Sequence, residues 1–575
     1  MLHQTHSRMR NDQVQPSTID RDSRGPLLPQ GCSRVSIETS KEARKYTRWD
    51  LDSPPQVGVD GHYPSSSPTD TDATPVPPPT APPSSTSIED LPSEILAEIC
   101  KHTHSAEASG DATVLLPSFT TAYAFSCVNH RFQAALIEYL SPWSAIHIKV
   151  MGGRVMPSPE VIEAHIRNSG QFPLSWTFTV VLGRQSNEKT FEAARSTFKQ
   201  LSQAAERWEC VRLNVTPWHE DQCDLFPDPE VTLSSLVALE VMGTIRIGDT
   251  LNLLRRVGKG QNLRQLTVDT QGCSVAGSII IPLPTHNLLA SICGISTLHI
   301  NLPILSSAIH LLRNLPTLEV FSAQFFLGYT ASHHCLSEKD IDSTITSVRL
   351  SRLHTLRFRL INSPWSGAEE AYPDSSIIAL FQNLDLPALR NLSIVESGAP
   401  WGDHMFGISP LISRSTCGIE RLELNRTRIG PTELIDCLTL PSAQSITHLH
   451  LEDPILVLDR QVDWLQNPTL TEEVFAALSY PTSQPFDTSA VKLPQLATLI
   501  VGIDDSDAVV NPLVDMLHSR LFADLTGSPS VKRLEVLGVA SQSLKKAPKF
   551  QKRMKKIRQK ENRRCLAPLQ VVHIS

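Results

Sequence analysis

One pattern of apolar positions recurs through residues 148–540: an apolar residue, two variable residues, Leu, one variable residue and a last apolar residue. Side chains alternate along a β-strand, so the Leu and the last apolar residue share one face. The copies lie at 208–213 (the weakest, with Val in place of Leu), 236–241, 263–268, 295–300, 315–320, 353–358, 389–394, 419–424, 446–451, 496–501 and 531–536. The pattern predicts one strand for each copy, with one face buried.

Helical spacing is found between several copies, where apolar residues stand three and four apart. These runs are 250–257, 306–315, 375–384, 431–440 and 509–525. Strand followed by helix, many times over, resembles the leucine-rich repeat and implies a solenoid with a parallel sheet on its concave side. A generic α/β domain with a parallel sheet is the alternative.

The spacing of the copies is irregular, because successive copies begin 20 to 50 residues apart and no Asn ladder follows them. We therefore expect an α/β fold with an irregular, leucine-rich-repeat-like solenoid in residues 148–540. Long insertions are expected at 328–344, 362–374 and 456–492.

A helical pattern precedes the repeats, in residues 87–147. Apolar residues at helical spacing form one stripe: Ile88, Leu91, Ile95, Leu96 and Ile99. Asp90 is suited to cap this helix, and Pro92 is tolerated in its first turn. A second run of apolar residues at three- and four-residue steps covers 118–140. The pattern predicts a small helical module.

This module resembles the F-box of the expanded fungal F-box family. The residues that carry the resemblance are Leu91 and Pro92, the helix 94–99, the segment 127–132 and Trp143. Phe132 stands where Trp is usual in the family, and the loop 103–117 is longer than in the compact version.

The resemblance implies an adaptor that recruits a protein target, of unknown identity, to an SCF-type cullin-RING ubiquitin ligase and performs no chemistry itself. The residues that it implies at the surface for the Skp adaptor, and through it a cullin, are Leu91, Pro92, Ile95, Leu96 and Ile99. The residues that it implies in the core of the F-box are Val128, Phe132 and Trp143, with a place in the adaptor interface as the alternative for Val128 and Trp143. Residues 161–174 also resemble the helix-then-strand unit that follows the F-box in many fungal members, which implies a strand at 175–182. The repeat domain would hold the target near the ubiquitin-charged enzyme, so that proximity supplies the rate enhancement.

Residues 1–86 are polar, with ten prolines between Pro54 and Pro83. Such a segment cannot bury enough apolar surface to offset its ordering entropy, so we expect a disordered tail. The first 15 residues lack the apolar region of a signal peptide, and no apolar run reaches the roughly 18 residues that span a bilayer. The 11 Cys residues show no zinc-like spacing. We expect an intracellular protein, cytoplasmic or nuclear or both, without a membrane partner.

The last segment, residues 541–575, is expected to be a basic tail. From Lys545 to Arg564 it holds eleven Lys or Arg and a single acidic residue, Glu561. The cluster that resembles a nuclear localisation signal consists of Lys552, Arg553, Lys555 and Lys556. An electrostatic contact with nucleic acid or acidic lipid, and an ordinary solvated run, are the alternatives. The net charge of −7 argues against general nucleic-acid binding.

Motifs for catalysis are not found: the sequence has no nucleophile elbow, phosphate-binding loop or metalloprotease helix. His448 and His450 share one strand face but lack further ligands, so we expect no metal there. Asp504 to Asp507 are interpreted as a helix cap rather than a cation site. We expect no enzyme activity and no cofactor. The alternative function is a nuclear repeat-protein scaffold that binds protein or nucleic acid without a ligase.

Overall fold

The computed structural model describes only part of the chain. The described residues are 91–96, 98, 99, 126, 128, 130–138, 141–181, 187–216, 233–243, 262–269, 293–302, 305–327, 347–362, 380–397, 407–416, 418–427, 429–453, 455–458, 461–464, 468–480, 491–503, 507–522, 531–539, 548–563 and 569–573. The predicted tail 1–86, the loop 103–117, the helical run 250–257 and the insertion 328–344 lie outside these residues.

Strands form one large sheet of 15 members and two small pairs. Their bounds are β1 Ala145–Met151, β2 Arg154–Met156, β3 Leu174–Val181, β4 Trp208–Thr216, β5 Ala238–Gly243, β6 Gln265–Asp269, β7 Thr297–Leu302, β8 Val320–Leu327, β9 Val348–Arg349, β10 Thr355–Asn362, β11 Leu384–Asp385, β12 Asn391–Ser397, β13 Arg421–Asn425, β14 His448–Glu452, β15 Ile455–Leu458, β16 Gln461–Trp464, β17 Thr498–Gly502, β18 Val536–Val539 and β19 Gln570–His573. In the large sheet the order is β19-β18-β17-β14-β13-β12-β10-β8-β7-β6-β5-β4-β3-β1-β2.

All neighbours in the large sheet are parallel except β1 and β2. The strands β9 and β11 pair with each other, and β15 and β16 form a hairpin. The α/β fold with a parallel sheet is therefore confirmed. The strand predicted at 175–182 is β3, Leu174–Val181.

Register places equivalent residues side by side across the whole sheet. One row runs through Ile146, Trp176, Val211, Leu239, Leu266, Leu298, Phe321, Leu356, Leu392, Leu422, Leu449, Leu499, Leu537 and Val571. All members but Val571, which is half-buried, are buried, and they belong to one continuous core. Each fully buried side chain of this size contributes about 2 kcal/mol, so the row is a major source of stability.

The helices bury side chains in the core behind the sheet, except the helix at 130–138, which belongs to a separate small core. Their bounds are α1 His130–Glu138, α2 Pro159–Asn168, α3 Asn187–Ser202, α4 Leu305–Arg313, α5 Ile408–Arg414, α6 Pro431–Thr439, α7 Glu472–Leu478, α8 Asp507–Phe522 and α9 Pro548–Arg563. In α6, Pro431 occupies the first helical turn, and Leu434, Cys437 and Leu438 are buried at three- and four-residue spacing. The helices α5 to α9 contact one another in succession.

The copy predicted at 315–320 is displaced by three residues. In the structure Phe321, rather than Leu318, lies opposite Leu298. Leu315 and Leu318 are buried before the strand begins. Apolar residues at 315, 318 and 321 satisfy the pattern in either frame, and only the pairing of the strands selects one.

The copy at 531–536 is displaced in the same way. Leu537 lies opposite Leu499, whereas Leu534 is buried just before β18. In both cases a loop residue was mistaken for a strand residue because the apolar spacing continues across the boundary.

Two predicted boundaries are corrected. The end of the helical module at residue 147 falls inside β1, whose residues from 145 pair with β3. The insertion at 456–492 contains the β15–β16 hairpin and helix α7, which packs between α6 and α8. This segment therefore supplies a helix of the packed layer instead of forming only a loop.

The separate basic tail predicted from residue 541 is also corrected. Strand β19 pairs with β18 and extends the sheet. In α9, Phe550, Met554 and Ile557 are exposed by 5% or less and belong to the main core. Their spacing of four and three residues gives one apolar stripe on an otherwise basic helix. The expected amphipathic helix is present, as part of the folded domain.

Glu561, the single acidic residue of the basic run, is fully buried in α9. Its Oε1 accepts a hydrogen bond of 2.7 Å from the Arg533 guanidinium and one of 3.1 Å from the Leu569 amide. A buried carboxylate needs such partners, since desolvation without them is costly. These bonds hold α9 to the segments before β18 and β19.

Arg520 is a buried cation near the end of α8, with 1% of its surface exposed. It donates hydrogen bonds of 2.5, 2.7 and 3.2 Å to the carbonyls of Leu478, Lys492 and Leu493. Its guanidinium lies 4.6 Å from the centroid of the Tyr480 ring. Burial lowers the pKa of Arg520 to about 10, so it remains charged at neutral pH. One side chain thus joins α8 to the end of α7 and to the segment before β17.

Replacing Arg520 with Met should lower the free energy of unfolding by about 3 kcal/mol, because three buried carbonyls lose their donor. Urea unfolding followed by tryptophan fluorescence measures the change. The exposed Arg313, at the end of α4, provides the control, since Arg313→Met should change stability by less than about 0.5 kcal/mol. Equal effects at the two positions would contradict a structural role for the buried cation.

Candidate functional site

The helical module has a small core of its own. It consists of Leu96, Ala135, Leu136 and Trp143, with the half-buried Leu91 packed against it. The Trp143 indole N–H donates a hydrogen bond of 2.8 Å to the carbonyl of Leu136. The Arg131 guanidinium donates to the carbonyl of Leu91 at 3.2 Å. These contacts hold the opening helix, described at residues 93–96, 98 and 99, against α1.

Trp143 also fixes the module to the sheet. It lies in the 3₁₀ turn Ser141–Ser144, which leads directly into β1. The ring of His165, on α2, meets the Trp143 ring edge-on at a centroid distance of 5.0 Å. The His165 Nδ1 is 3.2 Å from the Trp143 carbonyl oxygen. The module is therefore packed on the first unit of the sheet domain.

The residues expected at the Skp adaptor differ in accessibility. Ile95 is 46% exposed and Pro92 is exposed, whereas Leu91 and Ile99 are half-buried. Leu96 is only 1% exposed, because it faces Trp143 and α1. Its assignment to a partner surface is corrected: Leu96 is a core residue.

The residues expected in the module core also differ in burial. Trp143 is buried at 3% exposure, but Val128 is 61% exposed. The expectation for Val128 is wrong, since this residue lies in a turn before α1 begins at His130 and so is not on the packing face of the helix. The side chain of Phe132 lies outside the described residues.

Exposed large apolar side chains are few in the described part of the chain: Ile95, Val128, Met151, Phe172 and Val572. Two of the five belong to the small helical module. The bond between Arg131 and the Leu91 carbonyl places the turn that carries Val128 near the start of the opening helix. The module thus presents apolar surface that its own core does not use, which is typical of a surface that contacts a partner.

A second surface is the face of the sheet opposite the helices, here called the open face. Its central row is His147, Thr177, Arg212, Glu240, Thr267, His299, Ser322, Arg357, Ser393, Glu423, His450, Ile500, Gly538 and Val572. Most of these residues are polar, because each stands between two core-facing residues of its strand.

Ion pairs occupy two parts of the open face. Arg212 on β4 pairs with Glu240 on β5. Further along, His450 Nδ1 lies 3.2 Å from Glu423 Oε1, which also accepts a 2.7 Å hydrogen bond from the Asn425 amide. The hydrogen bond from His450, with help from Ser393, lowers the pKa of Glu423 to about 2. His448 and His450 lie on the same face of β14, as the sequence predicts, at the edge of this cluster.

Between these pairs, β10 carries two exposed arginines, Arg357 and Arg359. They are two residues apart and so project from the same face, about 7 Å from each other along the strand. In the described part of the chain neither has an ion-pair partner. Their neighbours across the sheet are uncharged: Ser322, Gln324, Ser393 and Val395. Two adjacent free guanidinium groups attract carboxylate or phosphate groups.

His299 responds to this positive charge. Burial lowers its pKa, and the charge of Arg357 lowers it further. The imidazole is therefore neutral at pH 7 and can donate or accept a hydrogen bond beside the arginines.

No binding residues on this face were predicted from the sequence, although a signal for them exists. They occupy the variable position between the Leu and the last apolar residue of each copy, as Arg357 does between Leu356 and Phe358. That signal requires the correct frame for every copy. For the copy at 315–320 it would have selected Glu319 instead of Ser322.

The predicted localisation cluster lies on α9. Lys552, Lys555 and Lys556 are exposed, and Arg553 is half-buried. The same helix buries Met554 and Ile557. The cluster is thus displayed on a packed helix, and its role in nuclear import stays a prediction.

Searches against protein-family models and against curated proteins found no match to this chain. Among the residues that the structure describes, no helix has the length and apolarity to cross a membrane. The same residues contain no group of three or more His, Cys, Asp or Glu side chains arranged to hold a metal ion. Asp504 and Asp505, weighed as a cation site, lie outside them.

Replacing Glu423 with Gln should flatten the acid dependence of stability. The pKa of Glu423 is lower in the folded protein, so its contribution is present above pH 4.5 and is lost as the pH falls towards 2. The wild type should therefore lose up to about 3 kcal/mol more than the variant between pH 6 and pH 2. Thermal unfolding across this range measures the difference, and parallel curves for the two proteins would show that Glu423 has no such role.

Proposed function

We propose that this protein is a substrate-recognition adaptor of an SCF-type cullin-RING ubiquitin ligase. In this proposal the helical module binds the Skp adaptor, and through it the cullin, while the open face of the sheet binds the protein target. The role is recruitment, because proximity of the target to the ubiquitin-charged enzyme accelerates transfer without a catalytic residue in this chain.

The observation that carries the proposal is the exposed Ile95, on a helix whose other side is already packed. Leu96 and Leu91 hold the helix to the core of the module, so Ile95 is not needed for that core. An apolar side chain on a fixed helix can be buried in a groove of a partner with little loss of entropy. Pro92 and Val128 extend the exposed surface around it.

The open face supports the second half of the proposal. Among the described residues, Arg212 and Glu423 have partners of opposite charge whereas Arg357 and Arg359 have none, so a target with acidic side chains would supply partners for these two arginines. Arginine side chains pair with carboxylates in a bidentate geometry, which gives orientation as well as attraction. Arg357 is flanked by the small, uncharged Ser322 and Ser393, and Arg359 by the uncharged Gln324 and Val395.

Replacing Ile95 with Glu should weaken binding to a Skp adaptor by at least roughly thirtyfold, because a charge would replace a central apolar contact. Isothermal titration calorimetry of the purified full chain with the adaptor measures the affinity. Phe172→Glu is the matched control, since Phe172 is 45% exposed, like Ile95 at 46%, but lies before β3. We expect the control to bind as the wild type does.

Failure of the wild-type chain to bind any Skp adaptor would overturn the proposal, as would equal loss of binding in both variants. Leu96→Ala is unsuitable for this test, because a buried core residue is lost and the module itself would be destabilised. Circular dichroism of each variant verifies that the sheet domain remains folded.

A further inference from the structure

Strand β19 forms one edge of the large sheet. It pairs with β18 alone among the described strands, and the Gln570 amide donates to the Glu535 carbonyl at 2.9 Å. In a parallel strand the backbone groups of successive residues point in opposite directions. The amide and carbonyl groups of Val571 and His573 therefore face away from β18. An edge of this kind can pair with another strand.

A groove of about 500 Å³ lies beside this edge, between β19 and α9. Phe550, Met554 and Val571 supply its apolar lining, and Lys552, Lys555 and Arg558 supply basic groups. The groove lies on the helix side of the sheet, because Val571 continues the core-facing row of the strands. Geometrically it is the position that a further strand and its side chains would occupy.

The basic groups at this groove are not neutralised within their helix. Glu561 is the sole acidic residue of α9, and it is buried against Arg533. Lys560 is engaged elsewhere, 2.6 Å from His518 and over the Phe522 ring. Lys552, Lys555 and Arg558 are exposed. Val572, on the opposite side of the same strand, is 46% exposed, so both faces of this edge have apolar surface to cover.

We propose that an extended acidic segment of a partner protein adds as a strand beside β19 and lies in this groove. Its backbone pairs with the amide and carbonyl groups of Val571 and His573 that face away from β18. Side chains of the segment that point to the helix side place carboxylates on Lys552, Lys555 and Arg558, and the alternate side chains, on the opposite face, bury apolar groups against Val572. Main-chain pairing supplies affinity, and the alternate side chains supply specificity.

Charge, the backbone edge and apolar surface together favour an acidic segment over a second copy of this chain and over nucleic acid. In a second copy of this chain, edge-to-edge pairing of β19 would bring two basic α9 helices together, and the Gln570–His573 strand carries no acidic residue. Nucleic acid would satisfy the lysines but would leave the backbone edge and the exposed Val572 without partners. An acidic peptide in extended conformation satisfies all three features. The inference is independent of the adaptor role, since it involves neither the helical module nor the open face.

The test is binding of a fluorescein-labelled peptide in which Val and Glu alternate, measured by fluorescence anisotropy with the full chain. The double variant Lys555→Glu, Arg558→Glu should weaken binding by about tenfold or more, because two attractive charges become repulsive. The matched control is Lys556→Glu, an exposed neighbour that does not line the groove, and its effect should be less than about threefold. All three positions are exposed, so the fold should tolerate each change.

A backbone test leaves the protein unaltered. The same peptide with an N-methyl group on every amide cannot donate a backbone hydrogen bond from either edge, so it cannot pair as a strand and should not bind. Equal binding of the methylated peptide, or of a peptide in which Val and Lys alternate, would overturn the proposal. A stronger affinity for oligothymidylate than for the acidic peptide would also overturn it. The same holds for concentration-dependent self-association that the peptide does not inhibit.

Discussion

The in-register stacking of one buried row across parallel strands is the constraint on which the domain depends. Each strand contributes a side chain that contacts the equivalent side chain of its neighbours, from Ile146 to Val571. A strand shifted by one residue would turn its apolar side chains to the open face and its polar ones to the core. Burial of that row therefore fixes the pairing of every strand, the position of the helices behind it and the residues displayed in front.

The sequence predicted this arrangement well where one local pattern had a single solution. Leu356 and Phe358 fall in the expected frame, and helix α6 begins at Pro431 as the pattern indicated. The strand pattern failed where apolar residues recur every three residues beyond one copy. At these places the pairing with a distant strand decides which residues form the strand. Val128 shows the same limit, since a stripe of apolar residues does not reveal which of them lies beyond the end of a helix.

Charge composition misled in a related way. A run with eleven basic residues predicts a separate tail, but three apolar residues at helical spacing and one buried carboxylate attach it to the core. The average charge of a segment says little about folding when a few residues on one side supply the burial. The open-face arginines could be found from sequence, because they follow from the strand pattern. The sequence does not show that Arg357 and Arg359 lack ion-pair partners within the described residues. Their neighbours belong to other strands, which are distant in the chain.

Arg520 has a consequence for how this domain opens. In an array whose units contact mainly their neighbours, an end can fray one unit at a time. The guanidinium donates to the carbonyl of Leu478, at the end of α7, and to that of Leu493, before β17, so displacement of the end of α8 releases both at once. Backbone amides around Leu478 and Leu493 should accordingly exchange with solvent in a single cooperative event, which makes this stretch one foldon rather than two.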